Sequence, residues 1–185
     1  MIDEIMLDAK TRMKKSVAAV KVELAKIRTG RATPALLDHV VVNYYGNDVA
    51  LNQAATISVS DSRTLSVQAW EKSMVPTIEK AFLESQLGLN PVTAGEGMRN
   101  PIPPMTDLRR REMRKLVRSQ GEHGKVAIRN IRRDAISHAR DLVKSKDISQ
   151  DEEKKGVEQI QSRTDQYTAD IDALIKEKEI DIMEV

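Results

Sequence analysis

The sequence predicts an α+β protein in which an elongated three-helix bundle carries a small inserted α/β domain. Three observations predict it. Charged residues make up 31% of the 185-residue chain and aromatics only 3%, the balance of long amphipathic helices with aliphatic cores. Apolar residues recur three or four apart near the N-terminus and again from position 106 onward, which is the helical period. Between these stretches the apolar period falls to two and turn-forming residues accumulate, which is the signature of strands.

The first helix is expected over Ile2 to Ile27, where Ile2, Met6, Ala9, Met13, Val17, Val20, Leu24 and Ile27 form one stripe. Asp3 is a candidate cap at its start, and Gly30, after Thr29, can take the left-handed conformation that closes a helix. Strands follow at Val40, Val42 and Tyr44, at Ile57 and Val59, and at Leu65, Val67 and Ala69. Tyr45-Gly46-Asn47-Asp48 and Asp61-Ser62-Arg63 read as turns, and Ser73 to Ser85, with Pro76 in its first turn, reads as a short helix. Asn90-Pro91, Gly95, Gly97, Pro101, Pro103 and Pro104 are expected to break any regular element at the end of this domain.

A second long helix is predicted from a cap at Thr106 to about Lys146, on Met113, Val117, Ile128, Ile131, Ala135, Ala139 and Leu142. Gly121 and Gly124 interrupt it, each costing about 1 kcal/mol relative to alanine, and mark either local flexibility or tight packing of a neighbour. The third helix opens at Ser149, with Glu152 three residues on in a capping-box arrangement. It runs through Val157, Ile160, Thr164, Tyr167, Ile171 and Leu174 with bundle-like spacing. A helix of about 40 residues is roughly 60 Å long and needs long partners. The expected division is residues 1–30 with 105–185 for the bundle and 31–104 for the insert. Two chain crossings, Gly30-Arg31 and Pro103-Pro104-Met105, would then form a hinge.

Function is sought in the charge pattern, because the net charge of +2 hides a strong asymmetry. Thr106 to Lys146 holds thirteen Lys/Arg against five Asp/Glu, and Ser149 to Val185 holds five against eleven. A basic helix therefore lies beside an acidic one, and part of that contrast steers helix pairing. At about 100° per residue, Arg111, Arg114, Lys115, Arg118, Lys125, Arg129, Arg132, Arg133 and Arg140 share one broad sector away from the apolar seam. Seven of the nine are arginine, whose planar fork suits phosphates. A polyanion is the indicated ligand. Few aromatics interleave these charges, which disfavours base stacking on single strands, and a folded RNA read by backbone and shape fits best. No helix-turn-helix, zinc-finger or basic-zipper spacing supports DNA. A coiled-coil adaptor recruiting an acidic protein is the competing reading.

Catalytic signatures are missing from the sequence. His39, His123 and His138 form no metal-ligand spacing, Gly95-Glu96-Gly97 lacks the context of a dinucleotide site, and no phosphate loop or nucleophile elbow occurs. Asp151-Glu152-Glu153 is explained by the dipole of the helix it opens. We therefore expect no enzyme activity, cofactor or metal. The chain has no cysteine, no signal-like start and no membrane-length apolar run, which fits a cytoplasmic protein.

The segments LAKIRTGRATPALLD (24–38), VVNYYG (41–46), ISVSDSRTL (57–65), LGLNP (87–91), RNPIPPMT (99–106) and VAIRNIRRDA (126–135) together resemble the ribosome recycling factor family, over nearly the whole chain and in order. The resemblance implies an L-shaped protein in which an elongated three-helix bundle carries a small inserted β/α/β domain. It implies a non-catalytic, monomeric factor that binds the post-termination ribosome. With elongation factor G and the GTP which that factor hydrolyses, such a factor splits the ribosome into subunits, with release of mRNA and tRNA. Large-subunit ribosomal RNA contacts carry over to Arg110, Arg129, Arg132 and Arg133. Arg28 and Arg31, in a matching motif, are expected to contribute, as are Arg118 and Lys125 from the charged sector.

Overall fold

The structure, a computed structural model, describes residues 1–184. The chain divides into two compact units, Met1–Thr29 with Asp107–Glu184, and Gly30–Thr106.

The first unit consists of α1 (Ile2–Ala25), α3 (Asp107–Lys144) and α4 (Gln150–Met183), each packed on the other two. Helix α1 buries Ala9, Met13, Val20 and Leu24, α3 buries Met113, Val117, Ile128, Ile131, Ala135 and Ala139, and α4 buries Ile160, Tyr167, Ile171 and Ile182. Most of each predicted stripe is buried, with Ile2, Met6, Val17, Leu142, Val157 and Leu174 half-buried, and Ile182 joins the core without having been predicted. Asp3 is not the cap of α1: Met1 holds that position and Asp3 lies in the first turn, where its charge still favours the positive end of the helix dipole. The helix stops at Ala25, short of the expected Ile27, although Gly30 does adopt φ +81.

The seam of α3 continues through Gly121 and Gly124, both buried, so these glycines occupy core positions of the stripe. A Cβ on Gly124 would lie 2.3 Å from Val20 Cγ2, and one on Gly121 would lie 2.1 Å from Ile175 Cδ1. Tight packing, not flexibility, explains both.

Helix α3 ends in paired reverse hydrogen bonds. Lys146, at φ +64, donates its N–H to the Val143 carbonyl and Asp147 donates to Leu142, the Schellman arrangement with lysine where glycine is usual. Helix α4 opens on the predicted capping box. The Glu152 N–H donates to Ser149 Oγ at 3.2 Å, and the Ser149 N–H donates to Glu152 Oε2 at 2.7 Å. The Ser149 N–H foremost, and then the Ser149 hydroxyl, which also donates to Glu152 Oε2 at 2.9 Å, hold the Glu152 carboxyl below its ordinary range. A carboxyl depressed on folding stabilises above its unfolded pKa, and that contribution disappears as pH falls through the folded value. Ser149→Ala should therefore cost about 1 kcal/mol at neutral pH. In urea melts the gap to the parent should narrow as the pH is lowered below the glutamate range.

The second unit contains β1 (Val41–Tyr44), β2 (Asn47–Ala50), β3 (Ala55–Asp61), β4 (Thr64–Ala69), α2 (Val75–Glu84), β5 (Val92–Ala94) and β6 (Gly97–Pro101). The first two strands form a separate antiparallel hairpin, and the other four form an antiparallel sheet in the order β3-β4-β6-β5. Leu65 and Val67 of β4, Ile78 and Phe82 of α2, and Met98 of β6 centre the core.

Two expectations fail here. Asn47-Asp48 begins a strand instead of completing a turn, because Tyr45 and Gly46, at φ +49 and +88, make the whole reversal in two residues. The run from Gly95 to Pro101, expected to be irregular, forms the β5–β6 turn and an inner strand of the sheet. Gly95 supplies the left-handed turn at φ +64, and Pro101 sits at the last paired position, where a missing N–H costs little.

Candidate nucleic-acid interface

The basic sector of α3 divides into a helix-pairing edge and a solvent face. Arg118, Lys125, Arg132 and Arg140 recur about seven residues apart and so line one edge of the helix, against the antiparallel α4. Arg118 Nε meets Glu179 Oε1 at 2.5 Å, Lys125 pairs with Asp172, and Arg140 Nε lies 3.8 Å from Glu153 Oε1. Arg132 Nη1 donates to the neutral Gln161 Oε1 at 3.0 Å. The acidic neighbour thus takes up part of the basic charge, as the charge contrast between the two helices leads one to expect. Those pairs remain wet: the side chains of Arg118 and Arg140 are 63% and 68% exposed, so each pair stabilises little and can exchange partners. Lys125, at 23%, is the one most committed to the bundle.

The other part of the sector faces water. Arg111, Lys115 and Arg133 are exposed and make no ion pair among the described residues. Arg129, 49% exposed, pairs with Glu122 of its own helix. Glu122 is the one acid inside the stripe, an interruption that wheel arithmetic underweights. The opposite flank of α3 turns to α1, where Arg12 Nη2 donates to Asp134 Oδ2 at 3.1 Å.

The remaining candidates are dispersed. Arg110 is half-buried on the apolar side of the sector, beside a shallow recess also lined by Asp107, Arg111, Arg114 and Met183. Arg28 is exposed in the first unit beyond the end of α1, and Arg31 is exposed at the start of the second unit. Gly30, Pro103, Pro104 and Met105 lie outside helix and strand, with both prolines exposed.

One cluster in the second unit carries no strong pattern in the sequence. Tyr44 and Tyr45 donate their hydroxyls to the two oxygens of Glu71, at 2.7 and 2.5 Å. These bonds lower the Glu71 carboxyl and raise both phenols. Beside Glu71 in sequence, Trp70 is 59% exposed and donates Nε1–H to Thr56. Adjacent tyrosines and a lone tryptophan are the available signals, but only the folded hairpin brings them to one carboxylate.

Comparisons with known proteins agree over the whole chain. The family model described as "Ribosome recycling factor" matches residues 20–183. Proteins named ribosome-recycling factor from Legionella pneumophila (strain Corby) and Nitrosospira multiformis are each 55% identical across all 185 residues, with both chains fully covered. Among solved structures, a solution structure of the ribosome recycling factor aligns with TM-score 0.71 and 40% identity over 100% of this chain and 98% of that one. Another, covering 99% of both chains with TM-score 0.63 and 43% identity, is titled as models for the T. thermophilus ribosome recycling factor and the E. coli elongation factor G bound to the E. coli post-termination complex.

Proposed function

The chain belongs to the ribosome recycling factor family, and from that membership we propose that it grips large-subunit ribosomal RNA in the post-termination ribosome through the outer face of α3. With elongation factor G, and the GTP that factor hydrolyses, it splits the ribosome and releases mRNA and tRNA. It acts as a monomeric, non-catalytic protein of the cytoplasm. The T. thermophilus recycling factor and E. coli elongation factor G on the E. coli post-termination complex support this reading by similarity. Among the described residues no helix is long and apolar enough to cross a membrane.

The observation that carries this reading is the row of arginines at 129, 132 and 133, held on one side of a rigid helix. Arg133 is unpaired, Arg132 has a neutral partner, and Arg129 is paired only within its own helix. Arginine forks on a rod suit phosphates whose spacing is fixed by RNA shape, and each contact releases counterions. Arg28, Arg31, Arg110, Arg118 and Lys125 are proposed to add weaker contacts. Gly30-Arg31 and Pro103-Pro104-Met105, both outside regular structure, are proposed as the pivots used during splitting.

Arg132→Ala tests the reading, because Arg132 is only half-buried and its loss leaves Gln161 with its bond to Asp165. Binding to bacterial 70S ribosomes should weaken by about tenfold, with the slope of log affinity against log salt falling by about one. In the sedimentation assay with elongation factor G and GTP, subunit release should fall in parallel. Affinity unchanged across the salt series would reject the RNA-gripping role.

A further inference from the structure

The basic sector of α3 contains the same basic triplet twice. Arg111, Arg114 and Lys115 stand at positions i, i+3 and i+4, and so do Arg129, Arg132 and Arg133. The two sets are offset by 18 residues within one uninterrupted helix. At about 3.6 residues per turn this is five full turns, so each residue of the first set projects in the same direction as its counterpart in the second, about 27 Å along the axis.

The two triplets also share their surroundings. In each, the first and third residues are exposed and the middle one is half-buried. The N-terminal set is the less committed to the protein. Arg111 and Lys115 make no ion pair among the described residues, and Arg114 Nε is buried with no hydrogen-bond partner. Arg111 and Arg114 border a recess of about 270 Å³, closed on its other sides by Asp107, Arg110 and Met183. Asp107 is the one acid among the residues that border the recess, beside three arginines. Arg109, two residues before the set, has an acid of its own in Glu112 at 2.9 Å.

We propose that Arg111, Arg114 and Lys115 form a second phosphate clamp on α3, equivalent to the Arg129–Arg132–Arg133 clamp and engaging a separate stretch of the same folded RNA. This rests on the RNA-binding reading above. A separation of 27 Å is far beyond the spacing of neighbouring phosphates along one strand, so the clamps engage different RNA segments. Two rigidly linked contacts reward only an RNA whose phosphates match that spacing, which gives shape selectivity without base readout.

The test is Arg111→Ala/Lys115→Ala, which removes two exposed side chains. A control, Lys154→Ala/Lys155→Ala, removes the same charge from exposed positions of α4. Thermal melts should be unchanged for both. Affinity for bacterial 70S ribosomes should fall on the order of tenfold in the test variant, with the salt slope reduced by about two, and should fall less than threefold in the control. Combined with Arg132→Ala, the loss should multiply. Equal effects of test and control, or a test variant within twofold of the parent, would overturn the second clamp. Such a result alongside a damaged Arg132→Ala variant would remove the clamp alone, whereas indifference of both variants would remove the RNA-binding reading with it.

Discussion

A chain with Arg129, Arg132 and Arg133 all replaced by alanine is expected to bind bacterial ribosomes 10²- to 10³-fold more weakly, on the order of 3–4 kcal/mol, while folding normally. Fold retention follows from where the side chains lie. Arg129 and Arg133 are exposed and Arg132 reaches only a neutral amide, so truncation leaves no buried charge unpaired. The loss of affinity should exceed that of Arg132→Ala for a second reason. Removing Arg129 frees the Glu122 carboxylate on the face that meets phosphate, turning an attraction into a repulsion. The decisive measurement is the salt dependence: with about 0.9 counterions released per neutralised phosphate in duplex nucleic acid, the log–log slope should drop by two to three. A drop in affinity at unchanged slope would mean that the arginines act through packing or through a protein partner. Adding Glu122→Gln to the triple variant should restore part of the binding, which a purely structural defect would not permit.

The helices were legible because their determinants are local. A period of 3.6 written in Met13, Val20, Ile131 and Ile171 needs no knowledge of the partner, and Ser149 with Glu152 encodes a helix start within four residues. Strand β2 and the pair β5–β6 were illegible for the converse reason. Asn47-Asp48 and Gly97 have poor strand propensity, and they pair because Val42 and Val67 sit across from their neighbours Val49 and Met98, a fact stored elsewhere in the chain. The candidate site divides along the same line. Which face of α3 is basic follows from the sequence alone. Which charges are taken up does not, because Glu179, Asp172 and Glu153 meet Arg118, Lys125 and Arg140 only through the antiparallel register of α4. Tyr44, Tyr45 and Glu71 converge in the same way across 26 residues or more.

Gly124 offers the largest expected effect on stability, and its sign opposes helix propensity. Alanine should gain about 1 kcal/mol in a helix interior, yet its Cβ would lie 2.3 Å from Val20 Cγ2 and 3.1 Å from Ile171 Cδ1. Both neighbours are buried, Val20 at 5% and Ile171 at 0% exposure, so neither can swing into solvent. Overpacking a closed core costs typically 1–3 kcal/mol, and the net result for Gly124→Ala is a destabilisation of about 1 kcal/mol. Gly124→Leu, which no rotamer can accommodate, should cost more than about 4 kcal/mol and separate α1 from α3. Gly121→Ala should be milder although its Cβ would come closer to its neighbour, because Ile175 is only half-buried and can rotate away. Urea denaturation followed by helical circular dichroism measures all three. Val20→Ala introduced into Gly124→Ala should cost far less than Val20→Ala in the parent, since the methyl it removes is the one in the way. Equal costs in the two backgrounds, or a Gly124→Ala protein more stable than the parent, would mean that α1 and α3 are not in close contact at this point of the seam.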